Sequence, residues 1–404
     1  MKRRRCFATI GSIFMVLCML LLVFPSTGLC AAPEKTLTIG YIAAMTGFAA
    51  IGEVPLENGA RVAQDWINDN GGITVKGEKY RINIVTEDHK CNSEGAIAAA
   101  SKLVNDQKIK FIAGGVMPFT NIAINSVTTP AKVLHTQTYN VCTPDEYGPR
   151  TPYTFVTDNG TVETTKMTLA YMGKAHPDVK TIAVSHPDDG AIPFIQPMVT
   201  QAAKENGMTV VGDVIGIAMD MIDFTPVAKK LMARNADAIC MCNGWASIFG
   251  GVLKVARQSG YTKPIWQTPA ANCQDILTVA GKENTKLYCM LTFLPGDPKN
   301  PPVAVEMQRR LKAKYGHEAM FSGAAGFDTI WLITQAIEAA QSFDPTVVRD
   351  KWETMKTMKS VYGTAHLGGL KTYGINHTMS HPAPIVSFVD GVPKVMKWMD
   401  APTL

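Results

Sequence analysis

From residue 36 onward, short runs rich in β-branched and aromatic residues alternate with stretches whose apolar residues recur every three or four positions. Strands are predicted at 37–41, 80–86, 110–113 and 133–134. Between them Leu56, Ala60, Ala63 and Ile67 form one helical face, closed by Asn70, Gly71 and Gly72, and Ser93 and Glu94 open a second helix through Ile97, Ala100 and Val104. A third helix starts near Phe119. A polar, proline-rich stretch at 144–152 then precedes a second set, with strands at 153–157, 181–185, 209–215, 238–242, 264–267 and 287–291. Its helices run to Ala175, to Gly207, from a cap at Thr225 followed by Pro226, and from Ser247 to Ser259 before Gly260. Helical spacing returns at 303–315 and 322–341, where Trp331, Ile333 and Ile337 form a core stripe, and Asp390 with Gly391 marks a hairpin between strands at 385–389 and 393–398. The alternation predicts an α/β chain of two doubly wound parallel sheets.

The first residues break this rhythm. A basic head (MKRRR), an uncharged run over 6–24 and a small-residue segment over 25–32 (PSTGLCAA) have the three parts of a secretory signal, with cleavage near Ala31 or Ala32. An uncleaved anchor and a lipidated Cys30 are the competing readings. Of 39 basic residues, Lys2, Arg3, Arg4 and Arg5 lie in this segment, which leaves 35 against 34 acidic ones, a net +1. Such a surface has no electrostatic footprint for nucleic acid or anionic membrane. The remaining chain of about 370 residues exceeds what one core usually organises, so two domains are expected. Of nine cysteines, Cys91, Cys142, Cys240, Cys242, Cys273 and Cys289 lie beyond the signal. Cys240 and Cys242 share one strand face and are not expected to pair. His377 and His381 read as loop or strand residues, not as a metal pair.

Catalytic signatures are missing from the sequence: it has no GxGxxG after a strand, no GxxxxGK[ST], no GxSxG and no HExxH. That favours binding over catalysis, with no cofactor expected. Open parallel sheets bind ligands beyond the carboxyl ends of their strands. Here those places are 45–52, 114–120, 136–140, 188–190, 243–247 and 268–272, which carry Phe48, Phe119, Tyr139 and Trp245. The crevice is therefore expected to be aromatic and mostly neutral.

The runs 37–47 (LTIGYIAAMTG), 57–64 (ENGARVAQ), 67–73 (INDNGGI) and 86–91 (TEDHKC), with 326–330 (GFDTI) and the terminal hairpin, together resemble the leucine/isoleucine/valine-binding proteins of ABC importers. The resemblance implies a type I periplasmic binding protein, monomeric, with two lobes joined by a three-crossing hinge, closing on a small molecule and delivering it to a membrane permease. It places lobe I at 36–154 and 287–364, and lobe II at 155–286 and 365–404. The chain departs from the family where an amino acid would be held. The loop after the third strand carries Met117, Pro118 and Phe119 with Thr120 as the nearest hydroxyl. The acidic position after the 264–267 strand is replaced by residues 268–272 (TPAAN), which begin at Thr268. The family's disulfide from Cys91 would end near Met117, so it is expected to be missing here. A buried ammonium without a carboxylate is costly, so a zwitterion is disfavoured.

The expected ligand is a small, largely apolar molecule, an aromatic or aliphatic carboxylate, stacked on Trp245 and Tyr139, with Thr120, Thr136 and Thr138 holding its polar end. Asp189 either receives a donor or caps its helix. The alternatives are a branched-chain or other hydrophobic amino acid with Asp189 or Asp158 taking the ammonium, an extracellular enzyme, and a ligand-sensing receptor domain.

Overall fold

The computed structural model of this chain describes residues 35–138, 143–244, 246–268, 273–281, 286–316 and 321–401. Its strands sort into two sheets. The chain first lays down β1 (Lys35–Ala43), β2 (Ile73–Val75), β3 (Glu78–Asp88), β4 (Phe111–Gly114), β5 (Leu134–Gln137) and β6 (Thr154–Val156) in one sheet. It then builds the second from β7 (Thr181–Pro187), β8 (Thr209–Val210), β9 (Ile215–Ile217), β10 (Ala238–Cys242), β11 (Ile265–Thr268) and β12 (Leu287–Met290). β13 (Thr357–Ser360), β14 (Gly363–Gly368) and β15 (Thr378–Ser380) return to the first sheet, and β16 (Ala383–Val389) and β17 (Val392–Met399) end the second.

Pairing is parallel through β1, β4, β5, β6 and β15, and again through β7, β10, β11 and β12. Both faces of these central strands are buried. Helices Ala50–Asp69 and Phe321–Ala340 cover one face of the first sheet with Ile39, Tyr41 and Phe155, while Ile42, Leu103 and Ile112 pack on the other. Burying a side chain such as Phe155 fully contributes roughly 1.5–3 kcal/mol. The second sheet repeats the plan, with Ile239 and Phe249 on one side and Val184 and Trp266 on the other.

Helices 50–69 and 321–340 meet backbone to backbone. A Cβ on Gly59 would lie 2.0 Å from the Gly323 carbonyl oxygen, and one on Gly326 would lie 1.8 Å from that of Leu56. The glycines of the ENGARVAQ and GFDTI runs thus let these two helices meet at their backbones.

Sheet membership differs from the expected lobe limits. Thr157 still donates its N–H to Gln137 O (3.0 Å), so the first crossing lies at 158–160 rather than at 154. β12 pairs with β11, which puts the return beyond Met290 rather than at 287. β15 pairs with β6, so the last crossing is at His381 and Pro382 rather than near 365. Ladder pairing, not chain position, decides where each strand goes. The strand expected over 209–215 splits into β8 and β9 because Gly212 turns the backbone at φ +69°. Asn92, not Ser93, caps the helix Ser93–Ser101, its side chain accepting from Gly95 N at 2.7 Å. Thr225 is itself helical, and Asp223 accepts its N–H at 2.9 Å. Asp390 and Gly391 make the predicted turn, both with positive φ (50° and 75°). Lys76 and Gly77 make a second such turn between β2 and β3.

Candidate functional site

The carboxyl ends of β1, β4 and β5 share one end of the first sheet. The loop after β1 is pinned from below. Glu53 Oε2 accepts from Ala44 N (2.9 Å) and lies 2.8 Å from His89 Nε2, both side chains being fully buried. Asp88 accepts from Met45 N (3.0 Å), Thr46 Oγ1 (2.6 Å) and Lys90 N (2.8 Å). Burial opposes ionisation of Asp88, but these hydrogen bonds outweigh it and hold the carboxyl below its usual range.

Gly114 and Gly115, at φ +104° and +84°, carry the chain from β4 towards Met117, the N-cap of helix Pro118–Thr128. Pro118 occupies the first turn, where its missing N–H costs nothing. Met117 gives this helix no side-chain cap, so its first-turn N–H groups suit an anion. Thr120 gives its hydroxyl proton to Met117 O (2.9 Å), and Thr138 gives its own to Gly115 O (3.0 Å). Cys91 is a free thiol, half-buried, with Sγ 3.3 Å from Thr46 O. Its ionisation is pushed up chiefly by burial. Ala44, Ala49 and Met117 form a small apolar cluster with Cys91, Phe119 and Met219 packed against it. Met219 follows β9, so a side chain carried by the second sheet reaches the loops of the first.

On the second-sheet side Asp189 has one oxygen engaged. Its Oδ1 accepts from Ala191 N (3.0 Å), just before helix Ile192–Glu205, and lies 3.2 Å from His186 Nε2. The other ring nitrogen of His186 is 2.8 Å from Cys242 O. Asn243, at φ +62°, donates its N–H to Thr268 O (2.7 Å) and so ties the ends of β10 and β11. Where the first crossing enters the second half, Tyr373 OH donates to Glu163 Oε1 (2.5 Å), and Gly160 N donates to Glu163 Oε2 (2.9 Å). Burial raises the Glu163 carboxyl despite these bonds.

The residues expected at the site have several fates. Pro118, Phe119, Thr120 and Thr138 come together around the helix 118–128 terminus. Phe48 is 43 % exposed in the loop after β1. Thr136 faces the Ile112 and Thr329 carbonyls (3.4 and 3.3 Å), and Thr268 bonds Thr165 Oγ1 (3.2 Å), so both hydroxyls serve packing. Tyr139 and Trp245 lie outside the described residues. Asp158 is buried, with both oxygens engaged by His381, Asn159 and Tyr362. His377 and His381 part company, the first 2.7 Å from Glu353 and the second 2.6 Å from Asp158. Met219 was not foreseen, because a methionine in a loop between two short strands carries no local signal.

Residues 36–392 match the model of a family described as periplasmic binding protein. A curated relative, the leucine-, isoleucine-, valine-, threonine- and alanine-binding protein of Pseudomonas aeruginosa, is 24% identical over 328 residues, 78% of this chain and 82% of its own length. The fold is that of solved solute-binding proteins. One is LivJ of Streptococcus pneumoniae in complex with isoleucine, with TM-score 0.74, 19% identity and coverage of 91% of this chain and 99% of that one. Another is a solute-binding protein of Rhodopseudomonas palustris in complex with benzoate, with TM-score 0.74, 15% identity and coverage of 91% and 98%.

Proposed function

The chain belongs to the periplasmic binding protein family, and we propose that it is the extracytoplasmic solute-binding component of an ABC importer of the branched-chain-amino-acid type, taking a small, largely apolar carboxylate. The ligand sits between two lobes beyond the carboxyl ends of the strands, and contacts from both lobes stabilise the closed form that a membrane permease reads. Residues 1–32 direct export and are removed.

One observation carries the ligand class. Of the two carboxylates that the sequence offers for an ammonium, Asp158 has both oxygens bonded to protein partners, and Asp189 has Oδ1 bonded to Ala191 N–H beside His186. The terminus of helix 118–128 suits a carboxylate, and Phe119 in its first turn suits an apolar body. The benzoate-bound relative supports the same class, while the P. aeruginosa relative supports a branched-chain amino acid.

The test is thermal unfolding of the chain from residue 33, freed of ligand by partial unfolding and refolding, with benzoate, aliphatic acids and L- and D-leucine. A ligand that binds only the folded state adds about 2.7 kcal/mol at 100 times its Kd, so true ligands raise the midpoint visibly. A rise with benzoate or an aliphatic acid and none with leucine is expected. A rise with L-leucine but not D-leucine would overturn the carboxylate reading in favour of the amino acid.

A further inference from the structure

The first and third crossings run side by side because β6 and β15, which lead into them, pair in parallel. Beyond that pair the strands are joined through side chains. Asn159 Nδ2 donates to His381 O (2.8 Å), and its Oδ1 accepts from His381 N (3.2 Å), so one amide takes the place of a ladder rung. Asp158 Oδ1 accepts from His381 Nε2 (2.6 Å) and from Asn159 N (2.7 Å). Its Oδ2 accepts from Tyr362 OH (2.7 Å), and the Tyr362 ring stacks on the His381 imidazole with centroids 3.8 Å apart and planes 11° from parallel. Tyr362 is anchored in turn. Its N–H donates to Ser360 Oγ (3.0 Å), Ser360 Oγ donates to Asp328, and Asp328 also accepts from Val361 N (3.0 Å). Asp158, Asn159, Ser360, Asp328 and His381 are all buried.

We infer that Asp158 and His381 are positioning residues for closure: they lock two of the three crossings into one stiff block fixed to the first sheet, so that bending is confined to Gly160 and Pro382. The inference rests on the reading that the halves close on a ligand. Removal of the Asp158 carboxylate loosens the block at its centre: that group hydrogen-bonds both His381 and Tyr362, and only the Asn159 amide and the Tyr362–His381 stack are then left to hold the parts together. The crossings are then less tightly coupled, and the halves sample a wider range of orientations about their axis.

The experiment measures the distance between spin labels carried by p-acetylphenylalanine at Ile222 and Val305, which are 94% and 57% exposed. Ile222 precedes helix Thr225–Ala233, and Val305 lies on helix Pro302–Tyr315. Pulsed dipolar spectroscopy without ligand is expected to give each distance peak of Asp158→Ala a width more than about twice that of the wild type, because bending is no longer confined. Asp158→Asn, which keeps an acceptor for His381, is expected to restore the wild-type width. A purely structural role would lower the unfolding midpoint and leave the width unchanged, and a folded Asp158→Ala with wild-type widths overturns the inference. Should Asp158→Ala fail to fold, Tyr362→Phe decides on the same criterion: broadening supports the lock and an unchanged width refutes it. Added benzoate or L-leucine tests closure separately. A mean distance that neither ligand moves speaks against ligand-driven closure and leaves the comparison of widths intact.

Discussion

Asp328 offers the sharpest stability test, because its ionisation is opposed by its surroundings. Burial raises its carboxyl from 3.8 to about 7, against the lowering effects of Ser360, Val361 N–H and His381, and the neighbouring Asp158 raises it further. A carboxyl raised on folding binds its proton more tightly in the folded state. Its stabilising effect is therefore complete below the unfolded value near 3.8 and disappears as pH rises through the folded value near 7. Between pH 5 and pH 8.5 the loss integrates to about 3 kcal/mol.

Asp328→Asn removes this titration while keeping an acceptor for Val361 N–H. It disturbs the Ser360 hydrogen bond, at a cost of about 1 kcal/mol that does not depend on pH. Urea unfolding of both proteins, followed by tryptophan fluorescence at pH 5 and 8.5, isolates the effect as a double difference in which titrations away from the coupled Asp158 and His381 cancel. The variant is expected to differ little from the wild type at pH 5, where about 1.6 kcal/mol of the effect is already lost and offsets the cost of the substitution, and to be about 3 kcal/mol more stable at pH 8.5. Equal pH dependence in the two proteins would refute the reasoning, and would mean that Asp328 is ionised at little cost across the range.

Gly326→Ala places a Cβ where the Leu56 carbonyl oxygen already sits, and is expected to cost about 1–3 kcal/mol or more as helices 50–69 and 321–340 are forced apart. Thermal unfolding checks it, and an unchanged midpoint would contradict the backbone contact. Asp189→Ala removes the acceptor for Ala191 N–H and the partner of His186, at a cost of about 1 kcal/mol by analogy with lost helix caps. Calorimetric titration with the ligand found by thermal shift is expected to give an unchanged Kd, whereas a tenfold weakening would return Asp189 to the binding site.

Much of the fold was legible because its determinants are local. Apolar spacing marked helix 50–69 through Leu56, Ala60, Ala63 and Ile67, and Asp390 with Gly391 announced a turn that needs two positive φ angles. The loops at the strand ends, and Phe119 and Thr120 within them, followed from the rule that parallel sheets bind at their carboxyl ends. Other features are fixed only by partners distant in sequence. Strands buried on both faces look alike, so nothing in the residues of β12 or β15 tells which sheet accepts them. The same holds for Asp158: a carboxylate near the crevice reads as a ligand contact until the structure shows His381 and Tyr362 on its two oxygens, whereas Asp189, which the sequence left as either a ligand contact or a helix cap, accepts from Ala191 N–H beside His186. Sequence determined which segments are strands and helices and where their ends gather. Tertiary structure decided which of the polar groups there are already satisfied, because a hydrogen-bond partner more than 200 residues away leaves no periodic trace along the chain.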